Sequence, residues 1–190
     1  MNTPATVICA ALALSAAQVS PVVFAQTTQS MAKPPLELRG SLPDGRLAGR
    51  ARLKVWGFQV YNASLWVTNK FQPGAFQNHP FALELEYLRD FSREDIAERS
   101  LKEMLLQRPL PADKAARWER QLRDAIPDVR QGDRVTGLHR PGEGLSFLFN
   151  GEPVKTIADP ELAQLFFGIW LSEATSEPAL RRELLSLPKP

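Results

Sequence analysis

Cysteine is nearly absent from this chain: Cys9 is the one thiol in 190 residues, and it lies inside an apolar N-terminal stretch. Once that stretch is removed no thiol remains, which excludes disulfides, zinc–thiolate sites and cysteine nucleophiles together. Histidine is scarce as well. His79 precedes a proline and His139 stands near a turn, so no metal-ligand spacing arises, and neither a metal nor a cofactor is expected. An excess of one charge is also missing: 23 Lys and Arg are interspersed with 21 Asp and Glu, for a net charge of +2. Without a long basic stripe there is nothing to attract a phosphate backbone, and no nucleic-acid partner is expected. No glycine-rich phosphate loop and no G-x-S-x-G elbow occurs.

What is present begins with a leader. The first 25 residues carry no charged side chain, and Val7 to Ala17 form an apolar run too short to span a bilayer. This reads as a signal peptide over 1–25, with Val23-Phe24-Ala25 as the small-residue cleavage site before Gln26. A surface-anchored form is the alternative. Cys9 lies well ahead of the cleavage point, so a lipid-modified cysteine is not expected. The mature chain is then periplasmic or secreted, with no transmembrane span. Residues 26–35 are polar, small and proline-terminated, a flexible arm before one domain over 36–190.

Within that domain the hydrophobic period changes three times. Ala51, Leu53 and Val55 alternate with Arg50, Arg52 and Lys54, which predicts a half-buried strand. Gly57 permits a tight turn, and Phe58 to Val67 resumes an extended pattern that can pair back antiparallel. After a proline-containing loop to Pro80, Phe81, Leu83, Leu85 and Tyr87 mark a third strand. Ser92 and Asp95 stand at capping spacing before a helix over Arg93 to Gln107. Pro109 and Pro111 break it, and a second amphipathic helix carrying Trp118 and Leu122 runs to Pro127. Period two then returns in Val135 to Arg140, Leu145 to Phe149 and Pro153 to Ile157, with Asn150-Gly151 as a hairpin turn. Asp159-Pro160 opens a helix to Leu171 that is apolar nearly all round, followed by a short closing helix through Leu180 and Leu184. Leaving seven large apolar side chains of that long helix in water would forgo roughly 10 to 20 kcal/mol, so it must be central. It either packs as plain core or lines part of an apolar cavity. Strands and helices in groups, rather than in regular βα alternation, predict an α+β fold: an antiparallel β-sheet with helices packed on one face.

Four stretches, GRARLKVWGFQVYNASLW, LEYLRDFSREDIAERSLKEM, GDRVTGLHRPGEGLSFLFNG and IADPELAQLFFGIWL, resemble the bacterial chalcone isomerase-like proteins. In order and spacing they cover nearly all of Leu47 to Leu185. The resemblance implies an open-faced sandwich with a cleft between sheet and helices. In plant chalcone isomerases an arginine on an early strand and a threonine on the next serve an intramolecular ring closure, with a tyrosine and ordered water nearby. Members without that activity hold fatty acids, with arginine and tyrosine at the carboxylate. By this likeness Arg52, with Arg50 as its alternative, matches the strand arginine. Tyr61 falls at the threonine position, which favours the binding branch.

The residues themselves leave two readings of each candidate. Arg52 offers a planar two-pronged donor to an anionic ligand group, yet it shares a face with Arg50 and Lys54, and such a row also fits a solvated side of the sheet. Tyr61 and Tyr87 offer a ring and a hydroxyl to a ligand head group, or satisfy that hydroxyl inside the protein. Arg89 and Asp90 suit a local ion pair or helix capping, and Glu94, Asp95, Glu98 and Glu103 suit the solvent face of their helix. Three functions follow. The first is a binder of a small amphipathic or carboxylate-bearing ligand, with Arg52, Tyr61 and Tyr87 at its polar end. The others are an isomerase (intramolecular lyase) in which Arg52 stabilises an oxyanion, and a structural or interaction module of the envelope.

Overall fold

A computed structural model describes residues 33–187. The predicted signal peptide, its cleavage site and the arm up to residue 32 lie outside the described residues.

Six strands form one sheet, β1 (Arg46–Val55), β2 (Phe58–Val67), β3 (Phe81–Tyr87), β4 (Arg134–Arg140), β5 (Gly144–Phe149) and β6 (Glu152–Ile157). Each pairs antiparallel with the next, so the sheet is a meander in chain order. Two of its hairpins turn on two residues at positive φ, as a type I′ turn requires. Asn150 and Gly151 stand at φ 50° and 92°, and Trp56 and Gly57 at 49° and 84°. The register sets Tyr61 opposite Tyr87 and Asn62 opposite Glu86, which places the tyrosines on one face and the amide–acid pair on the other.

Four helices lie against one face: α1 (Arg93–Gln107), α2 (Ala112–Ala125), α3 (Pro160–Leu171) and α4 (Pro178–Leu184). Ser92 caps α1 by accepting from the Asp95 amide at 3.1 Å. Asp159 does more than cap α3. One carboxylate oxygen accepts from the amides of Glu161 and Leu162, while the other takes the Trp118 indole N–H at 2.8 Å and so ties α2 to α3. As its apolar circumference demands, α3 is central, with Leu162, Phe166, Phe167, Trp170 and Leu171 buried. Gln107 of α1 donates to the Leu165 carbonyl at 2.8 Å, and the Gly168 position of α3 has no space for a side chain beside that amide.

At the edge of the sheet α4 crosses β1 in close contact. A Cβ on Gly49 would lie 2.2 Å from the Glu183 carbonyl oxygen and 2.5 Å from that of Leu184, so only glycine admits this approach. Ser186 closes the junction by donating to the Ala48 carbonyl at 2.5 Å.

The sheet's other face is not bare. A 3-10 turn at Leu36–Leu38 brings Leu38 and Leu42 onto Trp66, Ala82, Leu138 and Leu148, a second apolar cluster that the sequence reading did not anticipate. Around it this face is polar: Arg134 pairs with Glu84 at 2.9 Å and with Glu37 at 3.1 Å.

Candidate functional site

Between α1 and the ends of β1, β2 and β3 the helical layer stands off the sheet and leaves a cleft of about 530 Å³. That volume suits a small organic ligand, since such sites commonly enclose about 300 to 1,000 Å³. Its floor is the apolar face of the sheet, with Leu53, Val60, Leu85 and Val135; its inner wall is Phe166, Ile169 and Trp170 of α3. Thus α3 is core on one side and cavity wall on the other. One stripe of α1, Ile96, Arg99, Ser100 and Glu103, forms the opposing wall, and Ser176, Glu177 and Leu180 close the far end.

Tyr61 and Tyr87 both line this cleft. Their rings meet edge to face with centroids 6.0 Å apart, and Phe91 extends the row at 5.8 Å from Tyr87. The Tyr61 hydroxyl accepts the Trp170 indole N–H at 2.9 Å, which binds β2 to α3 and leaves the phenol's own proton without an acceptor among the described residues. Tyr87 has no hydrogen-bond partner at its hydroxyl among the described residues. Burial pushes both phenols well above the ordinary tyrosine range; for Tyr61 the Trp170 donor counters in part and the Glu177 and Glu103 charges add to the rise. Both are therefore neutral donors at any physiological pH. The cleft presents two phenolic protons to whatever enters it.

The structure places Arg52 outside the cleft. It stands on the open face with Arg50 and Lys54, exposed, donating to Asn62 Oδ1 at 2.7 Å and Gln59 Oε1 at 2.9 Å, and it does not line the cleft. The physical reason is the strand period: Ala51, Leu53 and Val55 face the helices, so the residues between them cannot. The guanidinium groups that reach the cleft come from elsewhere. Arg99 of α1 pairs with Glu103 at 2.6 Å, and Glu103 also accepts from Ser176 at 2.6 Å. Arg89, just after β3, lies over the Phe58 ring at 5.0 Å.

Glu103 departs from its expected place. Expected on the solvent face, it is 7 % exposed and belongs to the cleft wall. The signal was the position of Ser100 within the apolar stripe Ile96, Leu101 and Met104, which marks that stripe as facing something partly polar. Asp90, expected in an ion pair or a helix cap, instead accepts from the Gln131 amide at 2.8 Å and fixes that loop.

At the mouth of the cleft stand Trp56 and Phe58, 94 % and 60 % exposed, on the β1–β2 turn. Among the described residues no helix is long and apolar enough to cross a membrane.

Comparison with known proteins supplies the family. No curated protein matches the chain in sequence. Among solved structures, a fatty-acid-binding protein of Arabidopsis thaliana superposes with a TM-score of 0.60 at 10% sequence identity, over 75% of this chain and 87% of that one. At that identity the likeness establishes the fold, an antiparallel sheet under a helical layer. Residues 16–186 match the model of the family described as chalcone isomerase-like, and the chain belongs to that family.

Proposed function

We propose that this protein is an exported, non-catalytic member of its family that holds a fatty-acid-like amphipathic molecule in the cleft between sheet and helices. The observation that carries this reading is the pairing of a largely apolar cleft of about 530 Å³ with two phenolic donors, on Tyr61 and Tyr87, that have no acceptor among the described residues. A ligand satisfies both features at once when it brings an acceptor on an apolar body. The tail would occupy the space against Leu85, Val135 and Phe166, and the acceptor would meet Tyr61, Tyr87 and Arg99. A carboxylate gains most from such an arrangement, because hydrogen bonds to a charged acceptor are worth about twice neutral ones. The Arabidopsis structure of the same fold is described as a fatty-acid-binding protein, which supports this ligand class. Export, to the periplasm or beyond, is supported by the uncharged apolar leader over 1–25. The isomerase alternative loses the arginine that motivated it, since Arg52 lies across the sheet from the cleft.

Native mass spectrometry on gently purified protein tests the reading. Co-purified lipid, or a mass shift on adding dodecanoate, is expected; protein that arrives empty and shows no shift with any fatty acid would overturn it.

A further inference from the structure

The β1–β2 hairpin ends in a combination that the fold does not need. Trp56 occupies the first position of a type I′ turn at φ 49°, where a bulky side chain is strained and Asn, Asp or Gly is preferred. Its side chain makes no compensating burial, being 94 % exposed, and Phe58 two residues on is 60 % exposed. Two aromatic rings in water beside a strained turn are a cost to the free protein. Behind them, from Gly45 to Leu83, the chain contains Arg46, Arg50, Arg52, Lys54 and Lys70 and no acidic residue. Arg50, Arg52 and Lys54 are exposed on the open face. Among the described residues none of the three forms an ion pair; Arg52 is held by the neutral Asn62 and Gln59. The two acids on the adjoining strand are engaged elsewhere, Glu84 by Arg134 at 2.9 Å and Glu86 by Asn62 Nδ2 at 3.0 Å.

We infer that this hairpin is a membrane-docking finger, which seats Trp56 and Phe58 in the interface of an anionic lipid bilayer while Arg50, Arg52 and Lys54 lie over the head groups. Charge complementarity selects the partner: a row of unpaired cations next to interfacial aromatics suits an anionic lipid surface, where tryptophan sits at head-group level and basic residues gain from the surface potential. The same two aromatics line the mouth of the cleft. If the ligand is the amphipathic molecule proposed above, docking sets that mouth against the bilayer and lets the tail pass between lipid and protein without crossing water.

The test is co-flotation of the protein, purified from cells expressing the full chain, with vesicles of phosphatidylcholine alone or of equal parts phosphatidylcholine and phosphatidylglycerol. The wild type is expected to float with the anionic vesicles, to stay behind with the neutral ones, and to be released by salt. Trp56→Asn suits the turn better, so its unfolding temperature should hold or rise while its flotation falls. Arg50→Gln together with Lys54→Gln should weaken partitioning roughly twenty-five-fold, at about fivefold for each basic residue near an anionic surface, and should leave binding of soluble dodecanoate unchanged. Wild-type protein that floats with neither vesicle, or Trp56→Asn protein that floats like the wild type, overturns the inference and points the exposed aromatics at a protein partner. Flotation without dodecanoate binding keeps the docking finger and removes the cargo; dodecanoate binding without flotation does the reverse.

Discussion

The indole N–H of Trp170 donates to the Tyr61 hydroxyl at 2.9 Å, and this one bond ties the central helix to the second strand across the wall of the cleft. Trp170 is 5 % exposed, so its donor has no ready substitute in water. Tyr61→Phe should therefore lower stability by about 1 to 3 kcal/mol, the cost of orphaning a buried donor, as read from the urea midpoint. Tyr87→Phe is the control. Its hydroxyl has no protein partner among the described residues, so removal should leave the midpoint unchanged while weakening binding of a carboxylate ligand. A stability loss in Tyr87→Phe equal to that in Tyr61→Phe would contradict this division of labour.

The same two phenols predict an alkaline limit. Burial raises both ionisations in the folded protein, whereas in the unfolded chain tyrosine titrates near its ordinary value of about 10. The unfolded state then gives up protons first, so the stabilisation is fully present below about pH 10 and drains away as pH rises above it. Unfolding free energies measured across that range should fall for the wild type, and the fall should be shallower in Tyr87→Phe. A flat profile would place the phenols in water.

Much of this architecture was written in short-range signals. Asp159-Pro160 opens α3 and Asn150-Gly151 turns β5 into β6 because each acts through its own backbone. The second apolar cluster was not visible, since Leu38 and Leu42 meet Trp66 and Leu138 only after the chain folds back across the sheet. Arg52 teaches something different. Its alternation with Ala51 and Leu53 sets it on the face away from the amphipathic helices, a placement that the strand period carries and the family likeness does not. Arg99 and Glu103 differ for the opposite reason: charged residues on an amphipathic helix read as solvated, and Ser100 within the apolar stripe is the one local sign that the helix stands off the sheet at that end.

Gly49 offers a test of how α4 is held. An added methyl group would press on two backbone carbonyls of α4, which cannot swing aside as a side chain can. Gly49→Ala should cost about 1 to 3 kcal/mol, the range for overpacking a close contact, with loss of protection in α4 amides by hydrogen exchange. Gly40→Ala, with nothing within 4 Å of the new Cβ, should be tolerated. Equal effects at the two sites would mean that α4 is mobile on β1.

An apolar cleft makes a quantitative prediction about tail length. Each buried methylene is worth about 0.8 kcal/mol, close to fourfold in affinity, for as long as the added group finds apolar wall such as Leu85, Val135 and Phe166. Titration calorimetry with a series of straight-chain acids should show that slope and then a plateau once about 530 Å³ is filled. Affinity independent of length would show that the tail lies outside.

The last prediction separates the two faces of the sheet. Arg99 lines the cleft and, although one of its nitrogens is committed to Glu103, a guanidinium carries further donors that an entering carboxylate can take. Arg99→Gln should therefore reduce affinity for dodecanoate roughly ten- to a hundredfold, the worth of one charge-assisted hydrogen bond, and should affect dodecanol far less because that ligand brings no charge. Arg52→Gln removes an equal charge about which the cleft knows nothing: its partners Asn62 and Gln59 lie on the open face. Dodecanoate affinity in that variant should match the wild type. If instead Arg52→Gln loses binding and Arg99→Gln keeps it, the head group sits on the far side of the sheet and the cleft between sheet and helices is not the ligand site.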